Sequence, residues 1–335
     1  MTQDTRFTQL TSWIHSLPSW ELAVINPASA DASFRRYFRA TLPQQTAIVM
    51  DCPPDKLSVN PFLDMTERLH EAGVRVPQIY ARNVLDGFLL LEDFGNNLYF
   101  NMLTPANADQ LYHAAMNSLI LLQAADCDHI PEYTPDFLKM ELNLMTEWFL
   151  KRHLGFTDYE LPLDLLNDTF EALVTSAKEQ PSCFIHRDYH SRNLMLLPNN
   201  DLGVIDYQDA FLGPITYDLV SLLRDCYLSW PENRVQRWAL TFHKQAIAAG
   251  TMPPVDEITF MRWFDLMGLQ RHIKVLGIFC RLNYRDDKPH YLQDLARVLL
   301  YVMEVGERHP ETRALVNWLE KMDIPERIGM IHLAA

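Results

Sequence analysis

Hydrophobic residues in the first 95 positions fall into short runs bounded by turn residues such as Pro43 and Asp86-Gly87, a pattern typical of strands. Five such runs predict strands at residues 22–25, 37–42, 47–51, 78–83 and 88–91. Between the third and fourth runs, residues 61–72 have helical character, and the segment stops at Gly73. This part of the chain therefore predicts the order β-β-β-α-β-β.

After residue 95 the apolar positions follow a helical period, as in Leu111, Ala115, Leu119 and Leu122. Helices are predicted at residues 137–150, 163–176, 217–228, 231–249, 260–271 and 292–305 as well. Short strand-like runs interrupt them at residues 183–185, 194–197 and 203–205. We therefore expect a small β-rich lobe, residues 1–95, and a larger, mainly helical lobe, residues 96–335, with a ligand cleft near the join.

The charge balance restricts the partners of the protein. In 335 residues, Lys and Arg number 29 and Asp and Glu number 43, which gives a net charge of −14. Such an acidic chain disfavours nucleic acid or an anionic membrane as its partner, and an anionic ligand would need a local cation or a metal. No run approaches the length of a membrane helix or a signal peptide.

Glycine and cysteine usage excludes several kinds of site. The 11 glycines form no G-x-G-x-x-G, no Walker A loop and no G-x-S-x-G elbow. The five cysteines are widely spaced and never form C-x-x-C, so neither a disulfide framework nor a structural zinc site is expected. Reduced, mostly buried thiols in a cytoplasmic protein are the simplest interpretation.

The candidate chemistry is concentrated in residues 184–210, where H-R-D ends at Asp188 and is followed by Asn193 and then by I-D ending at Asp206. An aspartate can accept the proton of an attacking hydroxyl group in phosphoryl transfer. Amide and carboxylate oxygens are the hard ligands that suit Mg²⁺. Asp188 is therefore predicted as the catalytic base, with Asn193 and Asp206 as magnesium ligands. The metal would also supply the local positive charge that this acidic chain needs.

The order H-R-D-x-x-x-x-N and then I-D resembles the signature of the protein-kinase-like superfamily. Residues 205–209 read I-D-Y-Q-D in place of D-F-G, and no A-P-E follows. The chain therefore looks like an aminoglycoside phosphotransferase-type small-molecule kinase rather than a protein kinase. That resemblance implies an α+β, protein-kinase-like, two-lobed fold that uses ATP and Mg²⁺, with Asp218 bracing the catalytic loop.

Within this group, residues 31–38, 48–51, 221–227 and 281–285 resemble the anomeric sugar kinases of bacterial cell-wall recycling. The resemblance implies ATP-dependent phosphorylation of the anomeric hydroxyl group of N-acetylmuramate and N-acetylglucosamine. Two alternatives remain open at this point. One is the same chemistry on an aminoglycoside or another small alcohol, and the other is a pseudokinase that binds nucleotide without transfer.

The nucleotide site departs from the family pattern. The third strand carries Met50 at the position where the family has a lysine, and the phosphate-covering turn around Ser33 has no glycine. We expect Arg35 or Arg36, on the adjoining strand, to supply the missing charge. The resemblance further implies that the backbone of the hinge contacts adenine, and the hinge residues are Glu92, Asp93 and Phe94.

Residues 270–288 are the most polar part of the helical lobe, and two interpretations remain open for them. One is a solvated helix face and loop. The other is a sugar pocket in which asparagine binds hydroxyl groups and arginine binds the carboxylate of muramate. The candidate sugar-binding residues are His190, Arg224, Arg271, Asn283 and Arg285. His190 has the alternative of simply packing within its loop.

Overall fold

A computed structural model describes residues 4–29 and 34–329 of the chain. The chain forms two compact units, each assembled from two stretches of sequence. The first comprises Met1–Met102 with Asn193–Asp209, and the second comprises Leu103–Arg192 with Ala210–Ala335. The segment Asn193–Asp209 thus groups with the N-terminal residues, which the expected division at residue 95 does not include.

The first unit is built on a five-stranded antiparallel sheet with the strand order β1-β2-β3-β5-β4. Its strands are β1 (Val24–Ser29), β2 (Arg36–Leu42), β3 (Gln45–Asp51), β4 (Ile79–Asn83) and β5 (Phe88–Glu92). Val49, in the third strand, lies opposite Phe38 on one side and Leu90 on the other. These three side chains are buried on one face, so the alternation of apolar residues fixes the register of the sheet.

A helix that the apolar pattern above does not include covers this face. Helix α1 (Thr5–His15) begins at Asp4, whose carboxylate accepts the N–H of Phe7 at 3.0 Å. Leu10 and Ile14 are fully buried in the same apolar cluster as the sheet. Both signals are present in the sequence, because Asp4 is a favourable N-cap and Phe7, Leu10 and Ile14 share one helical face.

The remaining elements of the first unit are α2 (Asn60–Glu71), α3 (Tyr99–Met102), the β7–β8 hairpin (Leu194–Leu196 and Leu202–Val204) and a 3₁₀ turn (Pro198–Asn200). The hairpin is fastened to the unit through its backbone. Val204 donates to the carbonyl of Arg75 at 2.9 Å, and Leu196 donates to that of Asn97 at 2.7 Å. These bonds explain why this stretch belongs with the N-terminal residues.

The second unit is mainly helical. Its helices are α4 (Ala108–Gln123), α5 (Pro135–Leu144), α6 (Leu163–Glu179), α7 (Tyr217–Leu223), α8 (Glu232–Ala249), α9 (Glu257–Asp286), α10 (Leu295–Gly306), α11 (Pro310–Lys321) and α12 (Ile324–Arg327). A π-helical stretch, Met145–His153, continues α5, and a 3₁₀ turn, Pro289–Asp294, precedes α10. Strands β6 (Ser182–Ile185) and β9 (Phe211–Pro214) pair antiparallel.

Helix α9 has 30 residues and contacts most other helices of the second unit. Gln270, Arg271, His272 and Lys274 are all buried within it, so the interpretation of residues 270–288 as a solvated face is wrong for the first part of that segment. Its last part is open to solvent, because Tyr284, Arg285 and Asp287 are exposed. Gly277 lies where the backbone passes from α5 into the π-helical stretch. A β-carbon there would come within 2.2 Å of the carbonyl carbon of Leu144, which only glycine avoids.

Two further features concern the cysteines and the lengths of the helices. All five cysteines are free, and four of them are buried: Cys52, Cys183, Cys226 and Cys280. They therefore behave as small apolar residues. Among the helices of the described ranges, none combines the length and the apolarity that crossing a bilayer requires.

Candidate active site

The H-R-D segment follows strand β6 in the second unit and is fastened to helix α7. The carboxylate of Asp218 accepts the backbone N–H of His186 at 2.6 Å and that of Arg187 at 3.0 Å. Burial raises the pKa of Asp218 to about 6, against the opposing effect of His186. The carboxylate is therefore ionised at neutral pH and binds the start of the loop, as the family resemblance implies.

Arg187 adopts a backbone conformation that is costly for a residue with a side chain. Its φ of 74° lies in the left-handed region, which costs about 1–2 kcal/mol for a residue other than glycine. Arg271 on α9 donates to the carbonyl oxygen of Arg187 at 2.8 Å. The Nη2 of Arg187 donates to Glu141 at 2.9 Å. Together with the bond to Asp218, these contacts hold the strained residue from three sides.

Asp188 comes directly after the strained residue, and its side chain is 54% exposed. Desolvation raises the pKa of Asp188, but the nearby positive groups together outweigh this effect and the pKa falls to about 2. The largest of their contributions comes from the Arg271 guanidinium, 3.9 Å away, followed by His190, Lys274 and His186. Asp188 is thus ionised throughout the physiological pH range. It can accept a hydrogen bond from a hydroxyl group and receive its proton as that group attacks.

The end of the loop has a second carboxylate anchor. Asp225 Oδ2 accepts the N–H of Ser191 at 3.0 Å and its hydroxyl group at 2.5 Å, and Oδ1 accepts the N–H of Tyr227 at 2.9 Å. Helix α7 therefore ends at Leu223 rather than at the predicted residue 228. His190 packs edge-on against Tyr227 with the ring centroids 5.4 Å apart, which is the loop-packing arrangement.

A buried charge network lies behind the loop. Glu141 accepts hydrogen bonds from Lys274, at 2.8 Å, and from the hydroxyl group of Tyr133, and Lys274 also donates to Tyr217 at 3.0 Å. Burial raises the pKa of Glu141, but Lys274, Tyr133 and Arg187 together lower it below the ordinary value. The candidates from sequence omit Glu141, although a carboxylate next to the buried Leu142 of a helix is the signal that could have revealed it.

The first unit contains the second group of predicted residues. Asp206, with a φ of 66°, accepts the side-chain amide of Asn193 at 3.4 Å and that of Gln208 at 2.8 Å. The N–H of Ile205 donates to the carbonyl of Asn193 at 3.1 Å, which keeps the two sides of the hairpin together. The structure therefore brings Asn193 and Asp206 together. Gln208, which the sequence gives no role, orients the carboxylate.

These residues fit a magnesium ion. In the described part of the chain, no three His, Cys, Asp or Glu side chains form a metal-binding group. Mg²⁺ does not need one, because it keeps several waters and is usually held by one or two carboxylates together with substrate phosphates. The amide oxygen of Asn193 and the carboxylate of Asp206 provide hard oxygen donors of this kind.

The two candidate phosphate-binding arginines differ in their surroundings. Arg36 donates to Asp51 at 2.6 Å and also contacts Asp4, so its charge is shared between two carboxylates. Arg35 is 9% exposed, and its Nη1 lies 4.0 Å from the carboxylate of Asp209. Arg35 thus lies near Asp209, three residues after Asp206.

Two other residues of the predicted nucleotide site are Met50 and Ser33. Met50 is completely buried in strand β3, so no charged group occupies that position. Ser33 lies outside the described residues. The missing lysine is therefore a feature of the structure as well as of the sequence.

Glu92, the first hinge residue, is largely engaged within its own unit. Its backbone N–H donates to the carbonyl of Gln78 at 2.8 Å. Its carboxylate pairs with Arg75 at 2.5 and 2.7 Å. The N–H of Glu92 is therefore not open to adenine.

The next two hinge residues are Asp93 and Phe94. Asp93 accepts the N–H of Gly95 at 2.9 Å and pairs with Arg39 at 2.7 Å. Within the described ranges, the N–H and carbonyl of Phe94 have no hydrogen-bond partner. The same holds for the N–H and carbonyl of Asp93, so both residues have backbone groups that can serve a ligand.

Two of the predicted sugar-binding residues are occupied by the protein itself. Arg224 is fully buried between Glu232, at 3.0 Å, and Asp265, at 2.7 Å. Arg271 is buried and holds the loop at Arg187, as described above. The structure therefore argues against the predicted contact of either guanidinium with a sugar, because both are buried and each is bound to polar groups of its own unit.

Two further predicted sugar-binding residues, Asn283 and Arg285, lie near the C-terminal end of α9. Arg285 is exposed and forms two hydrogen bonds to Asp286, at 2.9 and 2.8 Å, and Asn283 is partly buried. At 1.5 Å per residue, both lie about 20 Å along the helix from Arg271. The structure therefore does not bring them next to Asp188.

Comparison with known proteins places these features in a family. A family model described as "Phosphotransferase enzyme family" matches residues 24–258. A relative in Pseudomonas aeruginosa named N-acetylmuramate/N-acetylglucosamine kinase is 43% identical over 96% of this chain and 98% of its own length. A relative of the same name in Pseudomonas putida is 39% identical over 97% of this chain and 98% of its own.

A solved structure supports the fold. The ADP-bound aminoglycoside phosphotransferase APH(2'')-Ib has a TM-score of 0.61 and 16% identity, and the match covers 89% of this chain and 97% of that one. The predicted α+β, protein-kinase-like fold, with one sheet-based and one helical part, is confirmed. With its family model matched over most of its length, the chain belongs to the phosphotransferase enzyme family.

Proposed function

We propose that the protein is an ATP-dependent kinase that phosphorylates the anomeric hydroxyl group of N-acetylmuramate and N-acetylglucosamine, a reaction of peptidoglycan recycling. The observation that carries this proposal is the 43% identity to a kinase named for these two sugars over nearly the full length of both chains. An ionised Asp188 in a braced loop provides the group that such a reaction needs.

In the proposed reaction, the anomeric oxygen of the sugar attacks the γ-phosphorus of ATP. A bond forms between this oxygen and phosphorus, the bond from phosphorus to the β–γ bridging oxygen breaks, and ADP leaves with that electron pair. The hydroxyl proton passes to Asp188 and then to solvent. Because the transition state is loose, the main task of Asp188 is to orient the hydroxyl group before the proton moves.

Asn193 and Asp206 are proposed to hold Mg²⁺, with Gln208 keeping the Asp206 carboxylate in position. When bound, the ion neutralises charge on the phosphate groups of ATP. Hydrogen bonds from amides orient Asp206 without cancelling its negative charge. The Asp206 carboxylate therefore keeps the negative charge that binds a cation.

Arg35 is proposed as the cation that replaces the absent lysine. Its low exposure and its position near Asp209 favour it over Arg36, whose guanidinium is held by Asp51 and Asp4. The backbone of Phe94 is proposed to bind adenine. We place the reaction in the cytoplasm, where ATP is present and where the free, buried cysteines stay reduced.

A panel of acceptors tests this assignment. The purified protein, ATP and Mg²⁺ are incubated with N-acetylmuramate, N-acetylglucosamine, an aminoglycoside and choline, and the products are followed by phosphorus NMR. We expect sugar 1-phosphates from the two amino sugars and none from the other acceptors. Phosphorylation of the aminoglycoside or choline alone would overturn the sugar assignment.

A pseudokinase is the second candidate, and the buried Met50 is the observation that favours it. It predicts Mg²⁺-dependent binding of ATP without transfer to any acceptor in the same panel. Turnover of either sugar excludes this candidate.

A further inference from the structure

Arg281, on helix α9, is a partly buried arginine without a protein partner. In the ranges that the structure describes, its guanidinium has neither a hydrogen bond nor an ion pair, and its Nε is shielded from solvent. Arg224 and Arg271, on the same unit, both have carboxylates nearby. A shielded donor without an acceptor is unfavourable unless a ligand supplies one.

The charges around Arg281 leave its own charge incompletely balanced. Burial lowers its pKa most, and Arg285, one helical turn further on, lowers it in the same direction. Asp286 and Glu141 act in the opposite direction, but neither is hydrogen-bonded to Arg281, and Asp286 is already held by Arg285. Two neighbouring arginines with one shared carboxylate make a favourable place for an anion.

The position of Arg281 on its helix connects it with the loop of Asp188. Lys274 and Arg281 are seven residues apart, so they lie on the same face of α9. Lys274 binds Glu141, which in turn binds Arg187, the residue before Asp188. At 1.5 Å per residue, Arg281 is about 15 Å along the helix from Arg271, and helical side chains lean back toward the N-terminus. Arg281 therefore lies nearer to Arg271 along the helix than Asn283 or Arg285 does.

An aromatic residue accompanies the arginine. Tyr284, three residues after Arg281, is 40% exposed, and its hydroxyl group is hydrogen-bonded to Nδ1 of His153 at 3.0 Å. Arg152 lies over the ring of Tyr284 at 5.2 Å. An exposed aromatic side chain next to an unpaired arginine suits a ligand with an apolar sugar face and an acidic substituent.

We propose that Arg281 binds the carboxylate of the lactyl ether of N-acetylmuramate. The proposal rests on the proposed function. N-acetylglucosamine has a hydroxyl group in place of that ether and gains nothing from the cation. Arg281 would therefore determine how well one substrate binds relative to the other, without taking part in the transfer itself.

The test compares the two sugars on the variant Arg281→Gln, with Arg237→Gln as a matched control because Arg237 is a 61% exposed arginine on α8. Charge-assisted hydrogen bonds of this kind correspond to about 10- to 100-fold in affinity. We expect the KM for N-acetylmuramate to rise by this factor in Arg281→Gln, with the KM for N-acetylglucosamine and both kcat values unchanged. Arg237→Gln should behave like the wild type.

An unchanged KM for N-acetylmuramate, or equal losses for both sugars, would overturn the proposal. If Arg281→Gln does not fold, Arg281→Lys decides, because it keeps the charge but not the two-pronged geometry. It should then raise the KM for N-acetylmuramate several-fold and leave N-acetylglucosamine unaffected. If the wild-type enzyme phosphorylates neither sugar, the proposed function is refuted. If it phosphorylates both sugars and Arg281→Gln changes the KM for both equally or for neither, only this inference is refuted.

Discussion

The two acidic centres of the protein, Asp188 in the second unit and Asp206 in the first, are supported by different kinds of partner. Asp188 lies beside the guanidinium of Arg271, and its pKa falls to about 2 against the opposing effect of desolvation. Asp206 accepts hydrogen bonds from the neutral amides of Asn193 and Gln208. One carboxylate is held by fixed positive charge, and the other is oriented by dipoles.

This difference corresponds to the two tasks that we propose. A carboxylate that orients a hydroxyl group must stay ionised, and a nearby arginine ensures this without any added ion. A carboxylate that binds Mg²⁺ must keep its charge available, because a protein cation bound to it would compete with the metal. The same amino acid can therefore serve two purposes, one beside a guanidinium, as at Asp188, and one with bound side-chain amides, as at Asp206.

The largest expected effect is at Asp188. Asp188→Asn removes the proton acceptor but keeps the size of the side chain, and we expect kcat to fall by about 10³-fold or more. Titration calorimetry should show an unchanged affinity for ATP with Mg²⁺. Asp168→Asn, at an exposed position of helix α6, serves as the control. A kcat within tenfold of the wild type would remove Asp188 from its proposed role.

A smaller effect is expected when the amide of Gln208 is removed. In Gln208→Leu, the Asp206 carboxylate loses an orienting donor, and outer-shell changes of this kind weaken metal binding by about 10- to 100-fold. We expect the Mg²⁺ concentration for half-maximal activity to rise by this factor, with the sugar KM unchanged. An unaltered magnesium requirement would contradict the proposal that the Gln208 amide orients Asp206 for Mg²⁺.

A similar comparison can be made between Arg36, the first residue of strand β2, and Arg35, which precedes it. Arg35→Ala should raise the KM for ATP by about tenfold, as expected for one lost charge-assisted contact. Arg36→Ala should leave this KM unchanged and instead lower the melting temperature, because the buried Asp51 loses one of its partners. If both variants keep the wild-type KM for ATP, neither arginine replaces the missing lysine.

The finest effect concerns pH. Arg271 lowers the pKa of Asp188, so Arg271→Gln should raise it from about 2 toward its ordinary value of 3.8. The protonated acid cannot accept the hydroxyl proton, and the acid limb of the kcat–pH profile should therefore move to higher pH. Arg271→Lys, which keeps the charge, should move it less. The profile of Gln208→Leu should not change.

Much of the fold follows from the chain itself, because its signals are local. The five strands of the first unit are found within a few residues of the predicted runs, since apolar alternation and turn residues act over short distances. The prediction of Asn193 and Asp206 as ligands of one ion also requires them to be close, and they are, because a short hairpin brings its two ends together. The missed helix α1 had local signals too, in its N-cap and its apolar face.

The charge network could not be derived in this way. Arg271 and Asp188 are far apart in sequence, and only the packing of α9 behind the loop brings them together. The same packing buries Arg224 between Glu232 and Asp265, where it has no face left for a sugar. A polar residue in the sequence can equally be a ligand-binding residue or a buried structural one, and long-range contacts decide between them.

Gly277 has a consequence for how the specificity of this enzyme could be changed. Any larger residue there would have to displace the backbone at Leu144, and with it the π-helical stretch that ends at His153. That stretch holds the hydroxyl group of Tyr284 through His153. A single added methyl group at Gly277 would therefore alter substrate preference by moving one wall of the proposed sugar site.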